Sequence, residues 1–140
     1  MARILIVEDQ ADIRRLIRWS LDDFGHDLHE AASGQAALVA ALTLQPELVL
    51  MDVMMPGAID GLAACRELKA DARYGAPTVV MLTALAQARD RAAGEAAGAD
   101  AFVTKPFSPA ALVDLVGRLL SARGGSERLE QNQERGSGTL

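Results

Sequence analysis

Short apolar runs alternate with longer stretches of helical period along the whole chain, and this alternation leaves few architectures open. Ile4-Leu5-Ile6-Val7, Leu48-Val49-Leu50-Met51 and Thr78-Val79-Val80-Met81-Leu82 are too short for core helices. They do not alternate polar with apolar residues. Continuous runs of this kind suit strands covered on both faces, as in a parallel sheet. Between them, Ile13, Leu16, Ile17, Leu21 and Phe24 recur at spacings of three and four, which marks one face of a helix that Gly25 ends. His26 to Ala31 reads as a more polar strand nearer a sheet edge. Ser33 opens an Ala-rich helix with Leu38 and Leu42 on its inner side, and Pro46 closes the connection. Leu62, Cys65, Leu68 and Lys69 again have helical spacing. The stretch from Gln87 to Ala97 makes a poor helix, with Gly94 and almost no large apolar residue. Ala101-Phe102-Val103 is a last short strand. Ser108 and Pro109 supply an N-cap and a first helical position for a helix whose buried stripe is Leu112, Leu115, Val116 and Leu119. Strict strand–helix alternation of this kind predicts a doubly wound α/β sandwich: a five-stranded parallel sheet with helices on both faces.

Composition narrows the class further. Half of the 140 residues are hydrophobic but only 4% are aromatic, so the core is aliphatic. A net charge of −5 shows no basic stripe and argues against direct nucleic-acid binding by this chain. Cys65 is the sole cysteine, so no intramolecular disulfide forms, which fits a reducing cytoplasmic setting. Ile4–Val7 is too short for a signal core, and Glu8 and Asp9 end it. From Ser121 onward Gly, Ser, Gln, Glu and Arg take over, so the reading is a domain over 1–122 and a flexible polar tail or linker over 123–140.

In an open parallel sheet, ligands sit beyond the carboxyl ends of the strands. Glu8 and Asp9 follow the first strand, Asp52 the third, Thr83 the fourth and Lys105 the fifth. Alone, the acidic pair reads as a helix cap and Lys105 as a surface charge. Asp52 on the same edge changes that reading. Gathered carboxylates repel one another, and a hard divalent cation such as Mg²⁺, which takes oxygen ligands, relieves the repulsion. Lys105 is a point charge suited to a phosphoryl group, and Thr83 offers a hydroxyl donor. Acceptor carboxylate, metal, cation and donor are the parts of phosphoryl transfer.

With these residues in hand, the chain resembles the receiver domain of bacterial two-component response regulators, from Ala2 to about Ala122. The signatures are Val7-Glu8-Asp9, Met51-Asp52-Val53-Met54-Met55-Pro56, Leu82-Thr83-Ala84 and Lys105-Pro106-Phe107. The resemblance implies a CheY-like, flavodoxin-like (βα)5 fold. It implies that Asp52 is the phosphoacceptor and that Glu8, Asp9, Asp52 and the Met54 carbonyl hold Mg²⁺. It also implies that Thr83 and Lys105 bind the phosphoryl oxygens, that Phe102 is the switch aromatic and that the Lys105–Pro106 bond is cis. The partners it implies are a sensor histidine kinase or histidine phosphotransfer protein upstream and a downstream protein target, with the chain a monomer or a phosphorylation-linked dimer. Such a domain catalyses only its own phosphorylation and dephosphorylation and is not counted as an enzyme.

One departure is the loop Met55-Pro56-Gly57-Ala58-Ile59-Asp60-Gly61, a residue longer than the family's commonest form. Met54 and Leu85 stand at positions that influence dephosphorylation in the family. Apolar groups there orient an attacking water poorly, so a long-lived phosphoryl state is expected. His26 and His29, three apart on a strand, read as surface histidines, and Cys65 as a small buried hydrophobe. The neighbours of Trp19 do not decide its exposure. Arg14, Arg15 and Arg18 read equally as a solvated face or as a docking face. A receiver portion of a larger regulator is the alternative within the family. An aspartate-nucleophile phosphatase usually carries a second Asp at the position of Met54. A nucleotide-binding module would want a glycine-rich loop in place of Glu8-Asp9-Gln10-Ala11-Asp12.

Overall fold

The structure, a computed structural model, describes residues 2–84 and 88–134, with side chains over 2–84 and 91–123. The elements follow in the expected order: β1 (Arg3–Val7), α1 (Ala11–Leu21), β2 (Asp27–Ala31), α2 (Gly34–Leu44), β3 (Leu48–Asp52), α3 (Gly61–Ala70), β4 (Thr78–Thr83), α4 (Ala88–Ala96), β5 (Ala101–Thr104) and α5 (Pro109–Glu134). Short 3-10 turns at Asp22–Phe24 and Ala72–Tyr74 follow α1 and α3. All strands are parallel, in the order β2-β1-β3-β4-β5. Chain order reverses between β1 and β3, and that is where a doubly wound sheet opens its ligand crevice.

Successive strand residues point to opposite faces, and the core divides accordingly. Leu5, Val7, Val49, Met51, Val79 and Met81 face α2, α3 and α4, where Ala37, Ala41, Ala64, Cys65, Leu68 and Ala97 cover them. Ile4, Ile6, Leu48, Leu50, Val80 and Leu82 face α1 and α5 and meet Ile17, Leu21, Leu112 and Val116. Burying a side chain of this size contributes about 1.5–3 kcal/mol. The helix ends match their signals. Ser33 Oγ accepts from the Ala36 N–H at 3.0 Å, and Ser108 Oγ accepts from the Ala111 N–H at 3.3 Å. Gly25 takes φ +74°, open to glycine without strain.

Several expectations are corrected. Leu16 and Phe24 are exposed. Phe24 lies in the 3-10 turn past α1, where the helical register no longer applies. Leu42 is exposed as well; the inner face of α2 is Gly34, Ala37 and Ala41, whose small side chains bring the helix close to the sheet and leave the leucines to its flanks. Leu115 and Leu119 are only partly buried. His26 precedes β2 rather than lying in it. Apart from these corrections, the helix α5 extends to Glu134, which leaves the division at 122 and 123 open to either reading. Trp19 is 70% exposed on α1, while Cys65 is fully buried, as expected. Arg14 and Arg18 share Glu30, at 2.8 and 2.7 Å, and Arg15, the most exposed of the three, lies 3.8 Å from Asp12, so each arginine of the patch has a carboxylate partner while a net positive charge remains.

Candidate functional site

Glu8 and Asp9 leave β1 beside the end of β3. The Glu8 N–H donates to the Ala31 carbonyl at 3.1 Å, which continues the strand ladder by one residue and fixes where the carboxylate points. Its carbonyl accepts from Arg14 Nη1 at 2.7 Å, and its Oε2 accepts from the Asp9 N–H at 3.1 Å. The Glu8 side chain is fully buried. Asp52, 5% exposed, is the last residue of β3. Its Oδ1 accepts from the Met54 N–H at 3.1 Å.

Lys105 joins these carboxylates. Its ammonium lies 2.9 Å from Glu8 Oε1 and 3.1 Å from Asp52 Oδ2. The backbone places it there: the Lys105 N–H donates to the Thr83 carbonyl at 2.8 Å, carrying the β4–β5 ladder past Thr104. The Lys105–Pro106 peptide is cis. Thr83, buried at the end of β4, completes the edge. The structure thus brings Glu8, Asp9, Asp52, Thr83 and Lys105 to the carboxyl ends of neighbouring strands. Phe102 sits earlier on β5 with its ring against α4. Met54 is 65% exposed at the rim, and Leu85 lies outside the described residues.

Ligand oxygens of Glu8, Asp9 and Asp52 lie within 4.8 Å of one another. Burial, a hydrogen bond with Asp52 and repulsion from its charge push the Glu8 carboxyl from 4.5 up to about 7, against the pull of Lys105. Burial works to lower the Lys105 ammonium, but its contacts with Glu8 and Asp52 outweigh that and hold it above its usual range. Three crowded acids with one ammonium between them leave a surplus of negative charge. An all-oxygen donor set of this kind fits a hard divalent cation.

Gly61 was missing from the expected site residues. A Cβ on it would stand 2.1 Å from the Asp52 carbonyl oxygen and 2.8 Å from Val53 Cα. The Gly61 N–H donates to the Val53 carbonyl at 3.1 Å, so the start of α3 is pressed against the acceptor strand. Asp60 caps that helix, its Oδ1 accepting from the Ala63 N–H at 2.9 Å. The only sequence signal for Gly61 is its place just after this cap.

Comparison with known proteins agrees with the geometry. The family model for the response regulator receiver domain matches residues 4–117. The chain is 38% identical over 120 residues to the DNA-binding dual master transcriptional regulator RpaA of Synechocystis, covering 86% of this chain and 49% of that protein. It is 39% identical over 118 residues to the transcriptional regulatory protein ResD of Bacillus subtilis, covering 84% and 48%. It therefore spans about half the length of these curated relatives. Among solved structures, the chemotaxis response regulator CheY4 of Vibrio cholerae superposes with a TM-score of 0.79 at 29% identity, over 85% of this chain and 98% of that one. A response regulator from Chloroflexus aurantiacus gives 0.80 at 32%, over 86% and 98%. The chain belongs to the response regulator receiver domain family, the phosphoryl-accepting switches of two-component signalling.

Proposed function

We propose that Asp52 is the phosphoacceptor and that Glu8, Asp9, Asp52 and the Met54 carbonyl hold Mg²⁺ during the transfer. The observation that carries this reading is the Lys105 ammonium within 3.1 Å of both Glu8 and Asp52 on an edge that also holds Asp9. A carboxylate oxygen of Asp52 attacks the donor phosphorus, the bond to the donor's leaving group breaks, and an aspartyl phosphate forms. Bound Mg²⁺ supplies charge neutralisation for the acids and the transferring group. Lys105 turns from the carboxylates toward the new phosphoryl oxygens, and Thr83 donates its hydroxyl to another. The added charge, roughly −1.5 to −2, shifts the equilibrium of the face made by α4, β5 and α5, with Phe102 as its aromatic element.

The donor is a phosphohistidine of a sensor histidine kinase or phosphotransfer protein, and the output is contact with a downstream protein, as a monomer or a phosphorylation-linked dimer. The domain turns over no separate substrate. The receiver unit is taken as 1–122 with 123–140 a tail or linker, in a reducing cytoplasmic setting consistent with the lone buried Cys65. Among the described residues no helix is long and apolar enough to cross a membrane.

The experiment is incubation with acetyl phosphate with and without Mg²⁺, followed by intact mass. A single phosphoryl adduct that needs Mg²⁺ and vanishes in Asp52→Asn supports the reading. A Mg²⁺-dependent adduct that persists in Asp52→Asn sinks it.

A further inference from the structure

Of the three arginines on α1, Arg14 reaches back to the acidic pair. The strand ladder ends where the Glu8 N–H donates to the Ala31 carbonyl, because β2 stops at Ala31. The Glu8 carbonyl takes its donor from a side chain instead, Arg14 Nη1 at 2.7 Å. Gln10, the N-cap of α1, makes no side-chain capping bond. The turn from β1 into α1 is therefore tied from inside the helix rather than at its cap. The guanidinium is itself held. Its Nε donates to Glu30 Oε1 at 2.8 Å, while Glu30 Oε2 accepts from Arg18 Nη1 at 2.7 Å. Arg14 and Arg18 are four residues apart and share one helical face, so Glu30 on β2 locks both. With its side chain only 21% exposed, Arg14 is largely withdrawn from water.

What this fork grips is one peptide group. The carbonyl of Glu8 and the N–H of Asp9 belong to the same planar unit. Holding the carbonyl fixes where the N–H points, and that N–H donates to Glu8 Oε2 at 3.1 Å. The other carboxylate oxygen, Oε1, meets Lys105 at 2.9 Å. The same plane sets the Cα of Asp9, from which the second acid projects. We propose that Arg14, braced by Glu30, is a positioning residue for the metal site: its guanidinium fixes the Glu8–Asp9 peptide and so presets the two carboxylates that receive the divalent cation. The inference rests on the reading of Glu8 and Asp9 as metal ligands. A planar fork with fixed donor directions spans a carbonyl and a carboxylate at once, which a single ammonium on a flexible stem does not. Groups that orient metal ligands in this way are worth about 10–100-fold in metal affinity.

The test titrates Mn²⁺, which takes the same kinds of oxygen ligand as Mg²⁺, into metal-free wild type, Arg14→Ala, Arg14→Lys and Arg18→Ala. Each is first shown to be folded by circular dichroism, and the free ion is followed by electron paramagnetic resonance. Charge and positioning predict opposite signs. Removing a cation near three carboxylates strengthens cation binding by charge alone. Losing the brace misplaces two ligands, so Arg14→Ala binds Mn²⁺ about tenfold more weakly. Arg18→Ala removes an equal charge and a contact with the same Glu30 but leaves the Glu8 carbonyl its donor, so its affinity is unchanged or tighter. Arg14→Lys keeps the charge, loses the fork, and is weakened by less than Arg14→Ala. Equal or tighter binding by Arg14→Ala overturns the inference, and so does an Arg18→Ala variant weakened as much. Wild-type affinity in Arg14→Lys, where charge is kept and only geometry differs, overturns it as well and decides the matter should Arg14→Ala fail to fold. Wild type that binds no Mn²⁺ contradicts the proposed metal site and this inference together; wild type that binds beside unresponsive Arg14 variants contradicts this inference alone.

Discussion

Replacing Gly61 by Ala disturbs the acceptor site without touching any charged group. The new Cβ stands 2.1 Å from the Asp52 carbonyl oxygen, and real Cβ atoms essentially never come within 3.0 Å of such a neighbour. The gap between α3 and the end of β3 therefore opens by about 0.9 Å at least, the difference of those two distances. Overpacking of this kind costs about 1–3 kcal/mol. Weakening the Gly61–Val53 hydrogen bond adds about 1 kcal/mol. Loss of unfolded-state freedom on Gly→Ala returns about 0.4–1 kcal/mol. The net expectation is a loss of about 2 kcal/mol, read by urea denaturation. The functional effect is larger than the loss of stability suggests, because a misplacement of 1 Å costs on the order of 100-fold in rate. Acetyl-phosphate labelling of Asp52 under conditions where the variant is folded is therefore expected to slow by at least about tenfold. Gly117→Ala is the control: nothing lies within 4 Å of a Cβ there, so it is neutral or stabilises the helix by up to about 1 kcal/mol. A Gly61→Ala variant as stable as wild type and labelled at the wild-type rate refutes the close-approach argument.

Burial pushes the Cys65 thiol from 9.0 up to about 11. The folded protein keeps a proton that the unfolded chain gives up, so this contribution is intact below pH 9.0 and is lost as pH rises through about 11. Against Cys65→Ala, wild type loses about 2 kcal/mol of stability between about pH 8 and about pH 10.5, at 1.36 kcal/mol per unit; a flat difference contradicts the burial. Asp9→Asn removes a hard oxygen charge from the acid cluster, so Mg²⁺ stabilises that variant less than wild type in thermal melts; equal stabilisation removes Asp9 from the metal set. The phosphoryl group on wild type is expected to be long-lived, and Met54→Asn, placing a polar side chain at the rim, is expected to shorten its life. Loss from wild type within seconds, followed by repeated intact-mass measurement, counts against this.

The strand–helix alternation and the sheet edge that gathers the candidate site residues were legible because both rest on strong signals. The apolar runs Ile4–Val7, Leu48–Met51 and Thr78–Leu82 are double-faced strands, and the groups just beyond them fall at one edge by topology alone. What escaped notice rests on atoms that are missing or on contacts across the fold. Gly61 acts through the absence of a Cβ, which leaves no periodicity to read. The bridge from Lys105 to Glu8 links positions 97 residues apart. Leu16 and Leu42 have helical spacing but stand outside, because Ile17 on α1 and the alanines of α2 take the places next to the sheet. The partner that Arg14 and Arg18 share, Glu30, comes from β2 and has no local signal beside them in the sequence.

The central claim is that an acyl phosphate forms at Asp52 and nowhere else. Borohydride reduces an aspartyl phosphate to homoserine, which peptide mapping assigns to a single position. After labelling with acetyl phosphate and Mg²⁺, the account predicts homoserine at position 52 alone, and none when Mg²⁺ is chelated. Homoserine at position 9 instead, or a phosphoryl adduct that survives borohydride unchanged, would contradict it.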